Sequence, residues 1–576
     1  MTKEKYIMLT GWLLAGGVFC FAWSTALTLL LGRSLNSMAP WAVLSFMAEY
    51  GFSGSAGTLL FRSFLMAFAA AGVLATAFLL TNRPAWYGDA RWATAMEIGR
   101  ARLQKKAGLL LGKKGRTYLI NDEPLHTLVA APTRSGKGVG IVIPNLLAWN
   151  GSVMVLDIKK ENYQLTAGWR RKHQEVFMWS PMDAHSACYN PLDFVAAKGP
   201  NRITDIQKLA QILLPRPEHG EKMWVNEAQS LFLGVTLLVL DTPELPSTLG
   251  QVYRILMADA RLGKIAEEAL DNPALDTACH EALANYKNKA EKERSGVKSS
   301  LTSALALWAN PNIDAATSRS DFDLCDFRRV RSSVYVGVGQ DQLLTLAPLL
   351  NMFFQQAVAE LSKSLPGKKE PHEVLFLIDE FPMLGPMPTL QKGLALLAGY
   401  KIRIVLITQG LGQLDEIYGR QATEGILQNC ALQVFFASND DTTTNYVSAR
   451  LGSKTVAIKS RSQSQDWTAG STSTSYIQRP LLPPEEVRRL NPKKAIIFKE
   501  TSRPILAEKV RYYEDRRLTK LLCDPPAVPP LPARGRSASE AERVTLEDAP
   551  EQVEELDGIL GEFREERPKQ EQPQPV

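Results

Sequence analysis

Apolar residues are grouped in four different ways along the chain. From Tyr6 to Gly32 and from Ser63 to Thr81 they run without a charge, the first run closed by Arg33 and the second bounded by Arg62 and Arg83. Each is long enough to cross a hydrocarbon layer of roughly 30 Å as a helix. Shorter apolar runs follow: GSVMVLD ending at Asp157, SSVYVGVG after Arg331, Val374 to Ile378, and IRIVLIT before Gln409. Such runs predict strands buried on both faces of a parallel sheet. Over residues 192–330 the apolar positions recur at three-to-four spacing, as in WVNEAQSLFLGVTLLVL and VKSSLTSALALW, which predicts helices. From Asp524 periodicity is lost in a Pro-rich, then acidic, then Pro/Gln-rich stretch that reads as disorder. Within it, Val553, Leu556, Ile559, Leu560 and Phe563 fall on one helical face, suited either to docking in a partner's groove or to a solubilising tail. Residues 460–475, rich in Ser, Thr and Gln, predict a mobile loop.

Charge orients the two spans. Lys3 and Lys5 precede the first; Arg83, Arg91, Arg100, Arg102, Lys105 and Lys106 follow the second. The positive-inside rule then puts both ends in the cytoplasm and the short connection in the periplasm. The first run is too long for a cleaved signal, and a second span follows it. The expected arrangement is a two-helix anchor over residues 1–83 in the lipid bilayer of a bacterial inner membrane, with the bulk of the chain cytoplasmic.

Composition adds little: 45% hydrophobic and 22% charged residues exclude disordered, collagenous and disulfide-stapled classes. The six cysteines are scattered without a CxxC pair and the six histidines lack metal spacing, as expected for reduced thiols in a cytoplasmic body. Net charge changes the picture more. Between Glu540 and Glu566 eleven acidic residues face two arginines, so the overall +6 conceals a body of about +15, which favours a polyanionic partner.

The chemistry lies at the strand ends. HTLVAAPTRSGKGVG, starting at His126, is a buried strand, a Gly-containing turn and a helix start. In that context Ala131, Pro132, Thr133, Arg134, Ser135, Gly136, Lys137, Gly138 and Val139 form a phosphate-binding loop for ATP, with Lys137 reaching the β- and γ-phosphates. Ala131 replaces the usual first glycine, and Gly138 stands where Ser or Thr usually meets Mg2+. Thr133, Ser135 or a water could serve instead. The strand Val374 to Ile378 delivers Asp379 and Glu380 at its carboxyl end, the first to hold Mg2+ through water and the second as general base. Gln409, at the tip of the neighbouring strand, can contact the γ-phosphate. Arg403, Arg420 and Arg450 are alternatives for an arginine acting on a neighbouring subunit's phosphates.

Together these blocks resemble the type IV secretion coupling proteins, the TraG-like family. The residues carrying the resemblance are YGDARWA (Tyr87 to Ala93), APTRSGKGVG, LIDEFPMLGPMP, AGYKIRIVLITQGLGQL, YGR (Tyr418 to Arg420), ILQNC, FFASND and SARLGSKTV, in family order. Gly after Lys137 is that family's form of the loop. The resemblance implies an α/β fold with a RecA-like P-loop motor, placed over residues 84–191 and 331–515; the helical spacing reads as an all-α domain inserted over 192–330, and composition gives a Pro-rich acidic tail over 524–576. It also implies a homo-hexamer that couples cargo, a relaxase with its covalently attached single-stranded DNA, to the inner-membrane components of a secretion channel. Lys287, Lys289, Lys292, Arg294 and Lys298 in the helical segment are either DNA-phosphate contacts or a solvated face. Rival readings are a coupling protein mainly for protein effectors, a chromosome pump of the FtsK type, and a receptor that binds ATP only for assembly.

Overall fold

A computed structural model describes residues 19–32, 39–81, 86–216, 222–258, 272, 275–463 and 470–532. They divide into two compact units, one of Met1–Asp89 with Lys454–Arg479 and one of Ala90–Ser453 with Pro480–Val576. The proposed tail helix from Val553 to Phe563 and the first half of the first apolar run lie outside the described residues.

The larger unit is built on an eleven-stranded sheet. Its strands are β1 (Leu109–Lys114), β2 (Thr117–Asn121), β3 (Thr127–Ala130), β4 (Ser152–Ile158), β5 (Glu175–Trp179), β6 (Ser332–Val338), β7 (Val374–Ile378), β8 (Ile402–Thr408), β9 (Leu432–Phe435), β12 (Lys494–Lys499) and β13 (Ile505–Glu508). The order is β2-β1-β13-β12-β9-β3-β8-β7-β4-β6-β5. From β9 to β5 all seven strands are parallel, and β12, β13, β1 and β2 extend the sheet antiparallel. The apolar runs are buried as expected, because consecutive residues face opposite cores. Leu128, Leu156, Phe376 and Leu406 enter one, Val129, Val155, Leu377 and Val405 the other.

Between β5 and β6 every described element is helical. These helices share one hydrophobic core with a face of the sheet. Lys222–Asp241 matches a membrane span in length and composition, yet Leu231, Phe232, Val235 and Leu237 are buried in that shared core. It is a core helix.

The stretch after Asp524 is a correction. Residues 524–532 are not loose: Ser186 N–H donates to Pro529 O at 2.9 Å, Leu531 N–H to Ala184 O at 2.9 Å, and Tyr163 Oη to Pro526 O at 2.8 Å. A side chain at Gly168 would meet Asp524 O at 2.2 Å, so glycine allows the approach. Proline content misled the reading, since proline withholds a donor but still offers its carbonyl.

In the smaller unit a helix spans Phe19–Leu30, another Ala42–Tyr50 and a third Gly54–Thr81. The third starts nine residues before the expected Ser63, and the connection carries a helix of its own. Leu27, Val43 and Leu60 form their joint core, and Trp23 Nε1 donates to Ser63 Oγ at 2.8 Å. The mobile loop expected at 460–475 is corrected at its two ends, and 464–469 lie outside the described residues. β10 (Ser453–Gln463) and β11 (Gly470–Pro480) pair as a two-stranded sheet.

Candidate functional site

Parallel strands end together, so their carboxyl-end residues form one crevice. Here β8 lies between β3 and β7, with Ala130 opposite Thr408 and Ile378 opposite Leu406. The loop after β3, the acids after β7 and Gln409 after β8 therefore converge. Backbone strain marks the place. Arg134 and Gly136 in the loop have φ of 61° and 87°, and Glu380 has 53°, a left-handed conformation uncommon outside glycine. Gly138–Val142 then opens the helix with wide turns before Ile143–Ala148.

Lys137 Nζ is 3.0 Å from Asp379 Oδ1 and also pairs with Glu380 Oε1. Gln409 Nε2 donates to the other Glu380 oxygen at 3.2 Å. Lys137, Asp379, Glu380 and Gln409 are thus joined, with the lysine and both acids less than a fifth exposed. Burial works against the Lys137 ammonium, but Asp379 and then Glu380 outweigh it and hold it above its ordinary value. Burial raises Asp379 above the usual carboxylate range, and Lys137 only partly offsets this. Behind it Asp157 caps the helix Glu161–Arg171, accepting from Asn162 N and Tyr163 N, and burial pushes it up to about 7.

The loop has unmet bonding capacity. Ser135 Oγ is buried with no hydrogen-bond partner among the described residues. A Cβ at Gly138 would meet nothing within 4 Å, so no neighbour replaces the absent hydroxyl. One orphan hydroxyl and one buried carboxylate beside a phosphate loop fit Mg2+, which takes one or two protein oxygens and fills its shell with phosphate and water.

The three arginines separate. Arg403 is 1% exposed at the amino-terminal end of β8, the end away from Gln409, and pairs with Glu373 at 2.9 Å. It cannot reach another subunit's phosphates, which corrects one expectation. Arg450 is engaged inside its own chain, donating to Gln433 Oε1 at 2.5 Å and Tyr446 Oη at 2.6 Å. Arg420 is 85% exposed and only loosely paired with Glu424 at 3.5 Å.

Sequence reasoning missed Lys509. Its ammonium lies 3.5 Å over the Phe436 ring and donates to Ser135 O at 2.9 Å. Burial, with help from Arg511, lowers it to about 8. It comes from the end of β13, 374 residues from Ser135, so no local signal could reveal it. By holding the Ser135 carbonyl it fixes the peptide whose neighbours present N–H groups to phosphate. Lys509→Met should weaken nucleotide binding roughly 10- to 150-fold, since a hydrogen bond from a charged group contributes about 1.5–3 kcal/mol. Calorimetric titration with ATP checks this; an unchanged affinity would remove Lys509 from the site.

With this geometry in place, comparison with known proteins is informative. The profile of the family described as "Type IV secretory system Conjugative DNA transfer" matches residues 91–535. The chain belongs to that family. It is 38% identical over 469 residues to Protein VirD4 of Agrobacterium fabrum (strain C58 / ATCC 33970), covering 77% of this chain and 68% of that one. It is 31% identical over 523 residues to the conjugal transfer protein TraG of Escherichia coli, covering 81% and 82%. Among solved structures, the unbound conjugative coupling protein TrwBdeltaN70 aligns with a TM-score of 0.56 at 16% identity, over 74% of this chain and 94% of that one. TrwB in complex with ADP and Mg2+ aligns at 0.54 and 16%, over 74% and 95%. These likenesses make the chain a type IV secretion coupling protein with the TrwB fold.

Proposed function

We propose that this coupling protein hydrolyses ATP to drive single-stranded DNA, delivered with its relaxase, into a type IV secretion channel. It does so as a homo-hexamer anchored in the inner membrane by residues 1–83, with residues 84–191 and 331–515 as the motor and 192–330 as the inserted cytoplasmic-side helices. The observation that carries the reading is the convergence of Lys137, Asp379, Glu380 and Gln409 on three adjacent strand ends. A receptor that only bound ATP would not need the second acid and its glutamine. The ATP phosphates compete with Glu380 for the Lys137 ammonium, so substrate binding weakens the ion pair. Glu380 is then free to take the proton of the attacking water, with Gln409 orienting its carboxylate. Asp379 and Ser135 would hold Mg2+, which when bound neutralises the phosphate charge. Of the three arginines weighed, Arg420 is the most loosely held and so is available to a neighbouring site.

The basic body supports a polyanionic cargo, held by phosphate rather than base contacts. The test is ATP turnover by the full-length chain in detergent, with and without single-stranded DNA, beside Lys137→Ala. A severalfold stimulation by DNA that Lys137→Ala abolishes is expected. Turnover that is slow and indifferent to DNA would favour protein effectors or an assembly receptor.

A further inference from the structure

We propose that the β10–β11 strand pair is a lipid-contacting element that rests on the anionic headgroup layer beside the anchor. The inference rests on the reading of Gly54–Thr81 as a membrane span. That helix leaves Phe61, Leu65, Phe68 and Val73 exposed, as a lipid-facing helix would. The chain emerging from it is stitched to the base of the strand pair. Tyr87 N–H donates to Thr455 Oγ1 at 3.0 Å, Thr455 N–H to Gly88 O at 3.1 Å, and the backbones of Asp89 and Lys454 pair as an isolated antiparallel β-bridge. Trp86 packs edge-on against Tyr476, ring centres 4.9 Å apart. Five residue steps separate Thr81 from Trp86, at most about 18 Å of extended chain. The base of the strand pair is therefore tethered within reach of the bilayer surface.

Its composition suits that surface. Trp86 is 71% exposed despite the Tyr476 contact, and Tyr87, Ile458 and Ile477 are exposed as well. Trp and Tyr favour the membrane interface, where an apolar ring and a polar edge are both satisfied. Residues 453–463 and 470–480 contain Lys454, Lys459, Arg461 and Arg479 and no acidic residue, a balance that attracts anionic lipid. The pair does not join the eleven-stranded sheet, and an isolated two-stranded sheet is marginal in water without a surface to cover it.

The experiment uses the full-length chain in proteoliposomes of phosphatidylethanolamine and phosphatidylglycerol. Ile477→Cys carries an environment-sensitive fluorophore, and lipids with a nitroxide near the headgroup act as quencher. The labelled parent chain gives the background from native thiols, and Val73→Cys, midway between Arg62 and Arg83, reports on the span through a second quencher with its nitroxide deep in the acyl chain. Quenching of the 477 label by roughly twofold or more, falling when phosphatidylglycerol is omitted, is expected. Quenching at 73 without quenching at 477 overturns the inference alone, including the case where a second copy covers the strands. Loss of both signals overturns the span reading and the inference together.

Discussion

Glu380→Gln lowers ATP turnover at least about 100-fold and leaves nucleotide affinity within a few-fold of the parent, because a positioned general base contributes roughly 100- to 10,000-fold. The amide keeps the shape and the hydrogen-bonding length of the side chain but cannot accept the water's proton. Folding should survive. The left-handed backbone at residue 380, with φ of 53°, is set by the turn after β7 and not by the charge. Lys137 retains Asp379 at 3.0 Å as a partner, so its ammonium is not left alone in a buried site. Freed from one of its two acids, the lysine meets the phosphates with less competition, so affinity should hold or tighten. Steady-state turnover and titration with ATP, measured on one preparation, separate the two quantities. Turnover within about threefold of the parent would assign the base to another group and leave Glu380 only a structural partner of Lys137.

Arg170→Met is expected to cost the larger unit about 3–5 kcal/mol, because it strips buried carbonyls of their donor. The guanidinium is wholly buried without a carboxylate partner. Nε donates to Ser333 Oγ at 2.6 Å, Nη1 to Leu146 O at 2.8 Å and Trp149 O at 3.0 Å, and Nη2 to Gly151 O at 2.8 Å and Gln174 Oε1 at 3.2 Å. Burial lowers its pKa to about 10, so it remains charged at neutral pH. One side chain thus ties the end of the P-loop helix, the start of β4 and β6 to the helix Glu161–Arg171. Methionine fills a similar length but leaves these acceptors dry. Thermal melting at a fixed scan rate should show a fall of roughly 3–6 °C for a unit of this size. A fall under about 2 °C would mean that water enters and replaces the donor.

Arg170 also illustrates the limits of the sequence. Nothing in ENYQLTAGWRR distinguishes Arg170, buried, from Arg171, exposed, because the helix presents both among polar residues. The core strands were legible for the opposite reason. Unbroken apolar runs such as Val374 to Ile378 have few places to go but a doubly covered sheet, and the acids after them must emerge at a strand end. The P-loop and both acids were legible because their chemistry is local in sequence. Lys509 was not, because it matters only through a tertiary contact. The β10–β11 strands were hidden by Ser and Thr, which read as loop formers yet tolerate an extended strand with water or headgroups on both faces. The seam at Asp524 was hidden in the same way by proline.

The turn carrying Gln409 is unusually tight. A side chain at Gly410 or Gly412 would run into the Asp440 carboxylate at 2.7 and 2.9 Å. That carboxylate already accepts from Gly412 N at 3.1 Å and Thr443 Oγ1 at 2.5 Å, at the start of the helix Asp441–Leu451. Should Gln409 sense the γ-phosphate as proposed above, a turn packed this way leaves it little slack. If the departure of a phosphate shifts Gln409 by a fraction of an ångström, the turn cannot flex to absorb it, and two helices must move with it as one lever. Stiffness at this joint, more than charge at the phosphate, would then decide how much of each chemical step becomes mechanical stroke.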